Sequence, residues 1–242
     1  MGNKDIYQKK REALDHFIRE LFKNDVKDKI AKIILFGSMA EGKVREDSDI
    51  DVLVAVTDSP EEISWRCAEA ASEVGLATGE SVEPIVHSAE ELRIISSYFI
   101  YQVLKYGEEV YSMDEKELKK KEALAYLDLA NEYLESAKKN LEFNKYRIAV
   151  DIAHNACELV VKAFLLQKLK KLPSSHSDVI NKFGELHVKS GELPKELSRK
   201  LRKALENRNR ARYEPHATIT KEMAEETILF AEELIQLLEK KL

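Results

Sequence analysis

This 242-residue chain has few cysteines, no long apolar run and no excess of positive charge. Its two cysteines, Cys67 and Cys157, are far apart and lack metal-type spacing, which argues against a disulfide scaffold and a cysteine metal site. No apolar run approaches the length of a membrane span, and the first residues lack the apolar core of a signal peptide. We therefore expect a cytoplasmic protein with no membrane segment and with both thiols in its core.

The charge balance narrows the range of partners. A formal net charge of −5 at pH 7 argues against non-specific nucleic-acid binding by the whole chain, although it leaves room for a local basic patch. The chain is 44% hydrophobic and 34% charged, which is typical of a globular protein with a charge-dense surface. Its length suits one large domain or two small ones.

Hydrophobic periodicity divides the chain into two regions. In the first, apolar β-rich runs alternate with helical patterns, which predicts an α+β domain over residues 1–112. The predicted strands span 30–36, 50–56 and 81–86. The predicted helices are one over 4–22, a second that begins at 59 and a third over 88–105. Pro84 places the third strand at a sheet edge, because proline cannot donate to a central ladder.

From about residue 113 the strand patterns stop, which predicts an all-α helical bundle over 119–242. The predicted helices span 115–142, 145–169, a stretch from 175, 194–213 and 220–242. The second is apolar on several sides and is expected at the centre of the bundle.

The residues that indicate chemistry are Gly37-Ser38 and, after ten intervening residues, Asp49-Ile50-Asp51. Gly37 and Ser38 end an apolar strand, where backbone N–H groups and the positive end of a short helix suit a phosphate. Asp49 and Asp51 begin the next strand, so strand alternation points both carboxylates to one side. Two adjacent carboxylates repel unless a cation lies between them, and Mg²⁺ with nucleotide phosphates is the usual solution.

Segments 33–38 and 47–54, which contain these motifs, resemble the polymerase-β-like minimal nucleotidyltransferase family over about residues 1–112. The resemblance implies a small mixed sheet with flanking helices, a triphosphate held by the Gly-Ser pair, and metal bound by both aspartates. It also implies a third acid on a later strand, completing a two-metal site for phosphoryl displacement.

Glu83 is the candidate for that third acid, and Glu80 is the alternative. Glu83 lies inside the third predicted strand, where Val82 and Val86 face the other way.

The chain departs from the family at two positions. The family usually has arginines just after Gly-Ser, whereas this sequence has Met39 and Glu41. Lys43 and Arg45 are the nearby cations that remain to contact phosphate.

Segments 149–163, 175–176 and 208–215 resemble the HEPN domain family over about residues 119–242. The two resemblances support each other, because these domains commonly occur together, fused or as paired genes. In related two-domain transferases, an acid of the helical domain faces the triphosphate and acts as a base, which makes Glu158 a candidate. The alternative is that Glu158 is a structural residue beside His154, one turn away.

Some HEPN domains are ribonucleases that use an arginine and a histidine near a helix end. The positions of the toxin-like form hold Glu206 and Ala211 here, so neither group is present. A slipped alternative pairs Arg210 with His216, but Pro215 is expected to end the helix and leave His216 in a loop.

The sequence therefore predicts transfer of a nucleoside monophosphate from a Mg²⁺-bound NTP, either ATP or another nucleotide, to a hydroxyl group. The acceptor stays open between a protein side chain, an RNA end and a small molecule such as an aminoglycoside. A homodimer through the helices is expected. Two alternatives are a toxin-like HEPN ribonuclease regulated by its transferase half, as in toxin–antitoxin systems, and a catalytically weak nucleotide-binding module.

Overall fold

The computed structural model describes residues 3–24, 26–93, 97–169 and 171–242. The chain divides into two units, Met1–Leu118 and Lys119–Leu242. Among the described helices, none is both long enough and apolar enough for a bilayer crossing.

The first unit combines a four-stranded sheet with helices. Its elements are α1 (Asn3–Leu21), β1 (Ile30–Leu35), α2 (Gly37–Ala40), β2 (Ile50–Val56), α3 (Pro60–Thr78), β3 (Val82–Ser88), α4 (Ala89–Arg93), α5 (Tyr98–Tyr106) and β4 (Glu108–Ser112), with short 3₁₀ turns at Phe22–Asn24 and Lys27–Lys29. The strand order is β3-β2-β1-β4; β2 and β3 are parallel, and the other pairs are antiparallel. The expected small mixed sheet is therefore confirmed, and Pro84 lies in an edge strand as predicted.

Both faces of the sheet are covered, and strand alternation assigns the side chains of β2 to one face or the other. Val52 and Val54 belong to a core cluster shared with α1 and α3. Leu53 and Ala55 belong to a second cluster shared with α4 and α5. Because side chains alternate along a strand, Asp51 points to the same face as Leu53, at the end of the sheet where β2 begins.

One predicted helix is interrupted. The sequence predicted a continuous helix over 88–105, but α4 ends at Arg93 and α5 begins at Tyr98; residues 94–96 lie outside the described part. The backbone of Ser97 is extended, and its hydroxyl accepts the N–H of Ile100 at 3.1 Å, so Ser97 caps a new helix. The single-helix prediction is therefore wrong here.

The second unit is all-helical, as predicted. Its elements are α6 (Glu115–Glu142, which begins in the first unit), α7 (Tyr146–Leu166), α8 (His176–Phe183) continued by a π-helical turn (Gly184–Val188), α9 (Glu196–Tyr213) and α10 (Lys221–Glu239). Helix α7 buries residues on all sides and packs against α8, α9 and α10, which confirms its predicted central position.

Both cysteines are buried and unpaired in these cores. Burial raises the pKa of the Cys67 thiol to about 12 and also raises the pKa of Cys157, so neither forms a reactive thiolate at neutral pH.

Candidate active site

The predicted phosphate-binding turn lies where β1 ends and α2 begins. Gly37 has a φ of +69°, a left-handed conformation that favours glycine. A Cβ atom at this position would lie 2.1 Å from Oδ2 of Asp51, so only glycine leaves room for that carboxylate. The N–H of Phe36 donates to the backbone carbonyl of Asp51 at 3.0 Å, which ties the turn to β2. Ser38 follows in the first turn of α2.

The predicted acids lie on neighbouring parallel strands. Asp51 in β2 is the register partner of Glu83 in β3. Asp49 lies just before β2, and its carboxylate is close enough to raise the pKa of Asp51. Val82 and Val86 pack into the core on the opposite face, as the sequence pattern indicated. The sheet therefore brings the carboxylates of β2 and β3 into one region beside Gly37.

The electrostatics of this acidic cluster (Asp49, Asp51 and Glu83) reflect the crowding of like charges. Burial raises the pKa of Asp51, and the nearby carboxylates of Glu83 and Asp49 raise it further. Within the described residues, no lysine, arginine or histidine forms an ion pair with any of the three. An uncompensated set of carboxylate oxygens beside a glycine turn suits a hard divalent cation such as Mg²⁺.

The acidic cluster is not a closed metal cage. In the part of the chain that the structure describes, no three His, Cys, Asp or Glu side chains are already arranged around one metal position. In nucleotide sites Mg²⁺ is usually bound by one or two carboxylates together with substrate phosphates and water.

The alternative third acid lies in a different environment. The carboxylate of Glu80 is buried and contacts the ammonium groups of Lys10 at 2.5 Å and Lys9 at 2.7 Å. Its charge is therefore already balanced by protein groups, which favours Glu83 over Glu80 as the third member of the acidic cluster.

The structure shows where the residues lie that replace the usual arginines after the Gly37-Ser38 turn. Met39 is buried in the core below the sheet, so it packs rather than reaching a ligand. Glu41 is exposed and pairs with Lys43 at 2.7 Å, so the predicted phosphate contact of Lys43 competes with this carboxylate. Arg45 is exposed in the loop before β2.

Glu158 lies in the second unit, in a polar cluster that the sequence did not indicate. Its carboxylate contacts the imidazole of His176 and lies 3.1 Å from Lys162. Burial alone would raise the pKa of Glu158, but the hydrogen bonds from His176 and Lys162 hold it below its ordinary value. Arg208 is buried, with Nη2 3.5 Å from Nε2 of His176. The spacing of Glu158 and Lys162 along α7 is that of an ordinary helical ion pair. Sequence spacing carries no signal for the contacts with His176 and Arg208, because these residues come from α8 and α9.

Two other histidines that the sequence analysis considered, His154 and His216, lie in different environments. Burial lowers the pKa of His154 to about 4, so this residue is neutral at physiological pH. His216 is exposed and lies beyond Tyr213, where α9 ends, while Arg210 is inside the helix. The loop position expected for His216 is therefore observed.

Comparison with known proteins gives two family matches. The model for "Polymerase beta, Nucleotidyltransferase" matches residues 17–116, and the model for the HEPN domain matches residues 123–241. The first match contains the whole acidic cluster and the Gly37-Ser38 turn.

Two individual proteins are also similar. A protein of Methanocaldococcus jannaschii named "Putative protein adenylyltransferase" is 36% identical over 94 residues, which are 37% of this chain and 91% of that protein. A crystal structure of spectinomycin adenyltransferase from Enterococcus faecialis, with ATP and spectinomycin, aligns with 95% of this chain and 99% of its own. Its identity of 14% and TM-score of 0.32 are too low to bear on function.

Proposed function

Because the chain belongs to the polymerase β nucleotidyltransferase family and carries a HEPN domain in its second half, we propose that it transfers a nucleoside monophosphate. The donor is a Mg²⁺-bound nucleoside triphosphate, the acceptor is a hydroxyl group, and the leaving group is pyrophosphate. The single observation that supports this proposal is the register of Asp51 with Glu83 on parallel strands, together with the close approach of the Asp51 carboxylate to Gly37.

Each residue has a role in the proposed reaction. Asp49 and Asp51, with Glu83, hold Mg²⁺, which would neutralise the triphosphate and orient it for in-line displacement. The backbone at Gly37 and Ser38 binds phosphate oxygens, because glycine lets the chain approach closely. The alternative role for Glu83 is that of a general base, which accepts the proton of the attacking hydroxyl instead of completing the metal site. Lys43 and Arg45 supply positive charge at the rim, and for Lys43 this requires release from Glu41.

The relative's name guides the choice of substrates. An adenylyltransferase uses an adenylyl donor, so ATP is the proposed nucleotide, and a protein hydroxyl is the first acceptor to test. The HEPN domain is proposed to bind the acceptor or to form a homodimer. Glu158 stays a predicted base, already engaged by His176 in this structure.

A labelling experiment tests the proposal. The wild type, incubated with Mg²⁺, α-³²P-labelled ATP and lysate proteins, is expected to transfer label to protein. The Asp49→Ala, Asp51→Ala double variant is expected to lose transfer. The matched control is Glu46→Ala, Asp47→Ala, which removes the same charge from exposed residues of the preceding loop and should keep transfer. Equal labelling by the wild type and the aspartate variant would refute the mechanism.

A second candidate is a catalytically weak nucleotide-binding module. The pairing of Glu41 with Lys43 favours it, because this carboxylate reduces the positive charge that Lys43 offers to the phosphates. Met39, at a position where the family usually has an arginine, supplies no charge. Calorimetry that shows tight ATP binding, together with no turnover on any acceptor, would select this candidate.

A further inference from the structure

A buried lysine of α1 connects the two loops that lead into β2 and β3. The side chain of Lys10 is only 2% exposed, and its ammonium donates to the backbone carbonyl of Ser48 at 2.6 Å. The same ammonium donates to Oε2 of Glu80 at 2.5 Å. Lys9 contacts Oε1 of Glu80 at 2.7 Å from outside, with a side chain that is 50% exposed.

Stability alone does not account for this arrangement. Removing an ammonium and a carboxylate from water is costly, and an apolar pair of similar volume is often equally stable or more so. The ammonium also makes a contact that no apolar residue could replace, because it binds a main-chain carbonyl as well as a carboxylate. A lysine has three donors on one nitrogen, which suits two acceptors that approach from different elements.

Both acceptors lie close in sequence to residues of the acidic cluster. Ser48 immediately precedes Asp49, and Glu80 is three residues before Glu83. Ser48 is further fixed by a turn, in which its N–H donates to the carbonyl of Arg45 and its hydroxyl accepts the N–H of Arg45. The two loops also meet directly where the N–H of Ile50 donates to the carbonyl of Ser81 at 2.9 Å.

We propose that Lys10 is a positioning residue, which fixes the loop carrying Asp49 against the loop leading to Glu83 so that their carboxylates can share Mg²⁺. This inference rests on the proposed function. Octahedral Mg²⁺ tolerates little error in ligand placement. Two like-charged side chains separate unless the segments that carry them are held. The ammonium of Lys10 links these segments by binding the backbone carbonyl of Ser48 and the side-chain carboxylate of Glu80.

Hydrogen–deuterium exchange tests the anchoring without any substrate. Lys10→Met keeps the apolar stem and removes the donors, whereas the control Lys9→Met weakens the same ion pair without touching Ser48. Amides of residues 48–51 and 80–83 are expected to exchange at least about tenfold faster in Lys10→Met and at the wild-type rate in Lys9→Met. Unchanged exchange in Lys10→Met would overturn the inference.

Activity measurements separate positioning from folding. The Lys10→Met, Glu80→Met double variant removes the buried charges together and leaves no unpaired carboxylate, so its unfolding temperature should fall less than that of Lys10→Met. Its kcat is expected to fall by about tenfold to a hundredfold. The Mg²⁺ concentration for half-maximal activity should rise, and the KM for ATP should change little. A double variant with wild-type kcat and Mg²⁺ dependence would also overturn the inference.

The two proposals fail in different ways. If the wild-type protein transfers no nucleotide, the proposed function fails, and the exchange rates alone decide whether Lys10 anchors the two loops. If the wild type is active and Lys10→Met exchanges and reacts normally, only the role of Lys10 is lost.

Discussion

Replacing Gly37 by alanine is the sharpest test of the turn, because Gly42 supplies a control with the same backbone strain. Both glycines have a φ of +69°. A Cβ at Gly42 would meet nothing within 4 Å, whereas a Cβ at Gly37 would lie 2.1 Å from Oδ2 and 3.0 Å from Cγ of Asp51. Comparing Gly37→Ala with Gly42→Ala therefore distinguishes the effect of backbone strain from the effect of displacing the Asp51 carboxylate.

The expected magnitudes differ accordingly. A left-handed alanine costs about 1–2 kcal/mol, so Gly42→Ala should lower the unfolding temperature by a few degrees and retain activity. Gly37→Ala carries the same cost plus about 1 kcal/mol for forcing Asp51 from its rotamer. Displacing by about 1 Å the carboxylate that is proposed to bind Mg²⁺ should reduce transfer about a hundredfold.

Differential scanning fluorimetry and the ATP-labelling assay measure the two effects on the same protein samples. Wild-type transfer by Gly37→Ala would refute the view that close contact between the turn and Asp51 is required. Equal loss of transfer in Gly42→Ala would show that backbone strain alone is responsible.

Three further substitutions test the electrostatics and the helical unit. Without divalent cations, Asp51→Asn should raise the unfolding temperature at pH 7. Burial and the neighbouring acids raise the pKa of Asp51, so its ionisation destabilises the fold as pH rises above about 4. In a thermal scan below that pH, Asp51→Asn should unfold no higher than the wild type. Arg147→Met should lower the free energy of unfolding by about 2 kcal/mol in a urea titration, because its guanidinium donates to several backbone carbonyls at the C-terminal end of α9; an unchanged midpoint would contradict this. Burial alone would raise the pKa of Glu192, but hydrogen bonds from Lys168 and Lys241 lower it to about 2. Glu192→Gln should therefore destabilise the protein at pH 7, with the difference shrinking as pH falls from about 4 through 2; a difference independent of pH would argue against the ion pairs.

Local patterns were sufficient to predict much of the first unit. The alternation that buries Val82 and Val86 leaves Glu83 on the other face, and a one-residue slip would expose both valines. Pro84 indicated an edge strand for the same local reason. By contrast, β4 was missed because Glu108–Ser112 is short and largely exposed, and pairing with β1 supports it rather than an apolar pattern.

Contacts between distant segments could not be predicted. The parallel register of Asp51 with Glu83 depends on which strands become neighbours. Hydrophobic periodicity placed each acid in a strand, and only the family resemblance implied that the two acids come together. Lys10 and Glu80 are 70 residues apart and look like ordinary surface charges in the sequence. The contact of Glu158 with His176 likewise arises from the packing of α7 against α8.

The most direct test of the central claim is a crystal structure of the protein with Mn²⁺ and a non-hydrolysable ATP analogue, analysed by anomalous diffraction. The account predicts an anomalous peak bound by Asp49 and Asp51, with the triphosphate against Gly37 and Ser38. A triphosphate bound elsewhere, or no anomalous peak between the two aspartates at saturating Mn²⁺, would contradict it.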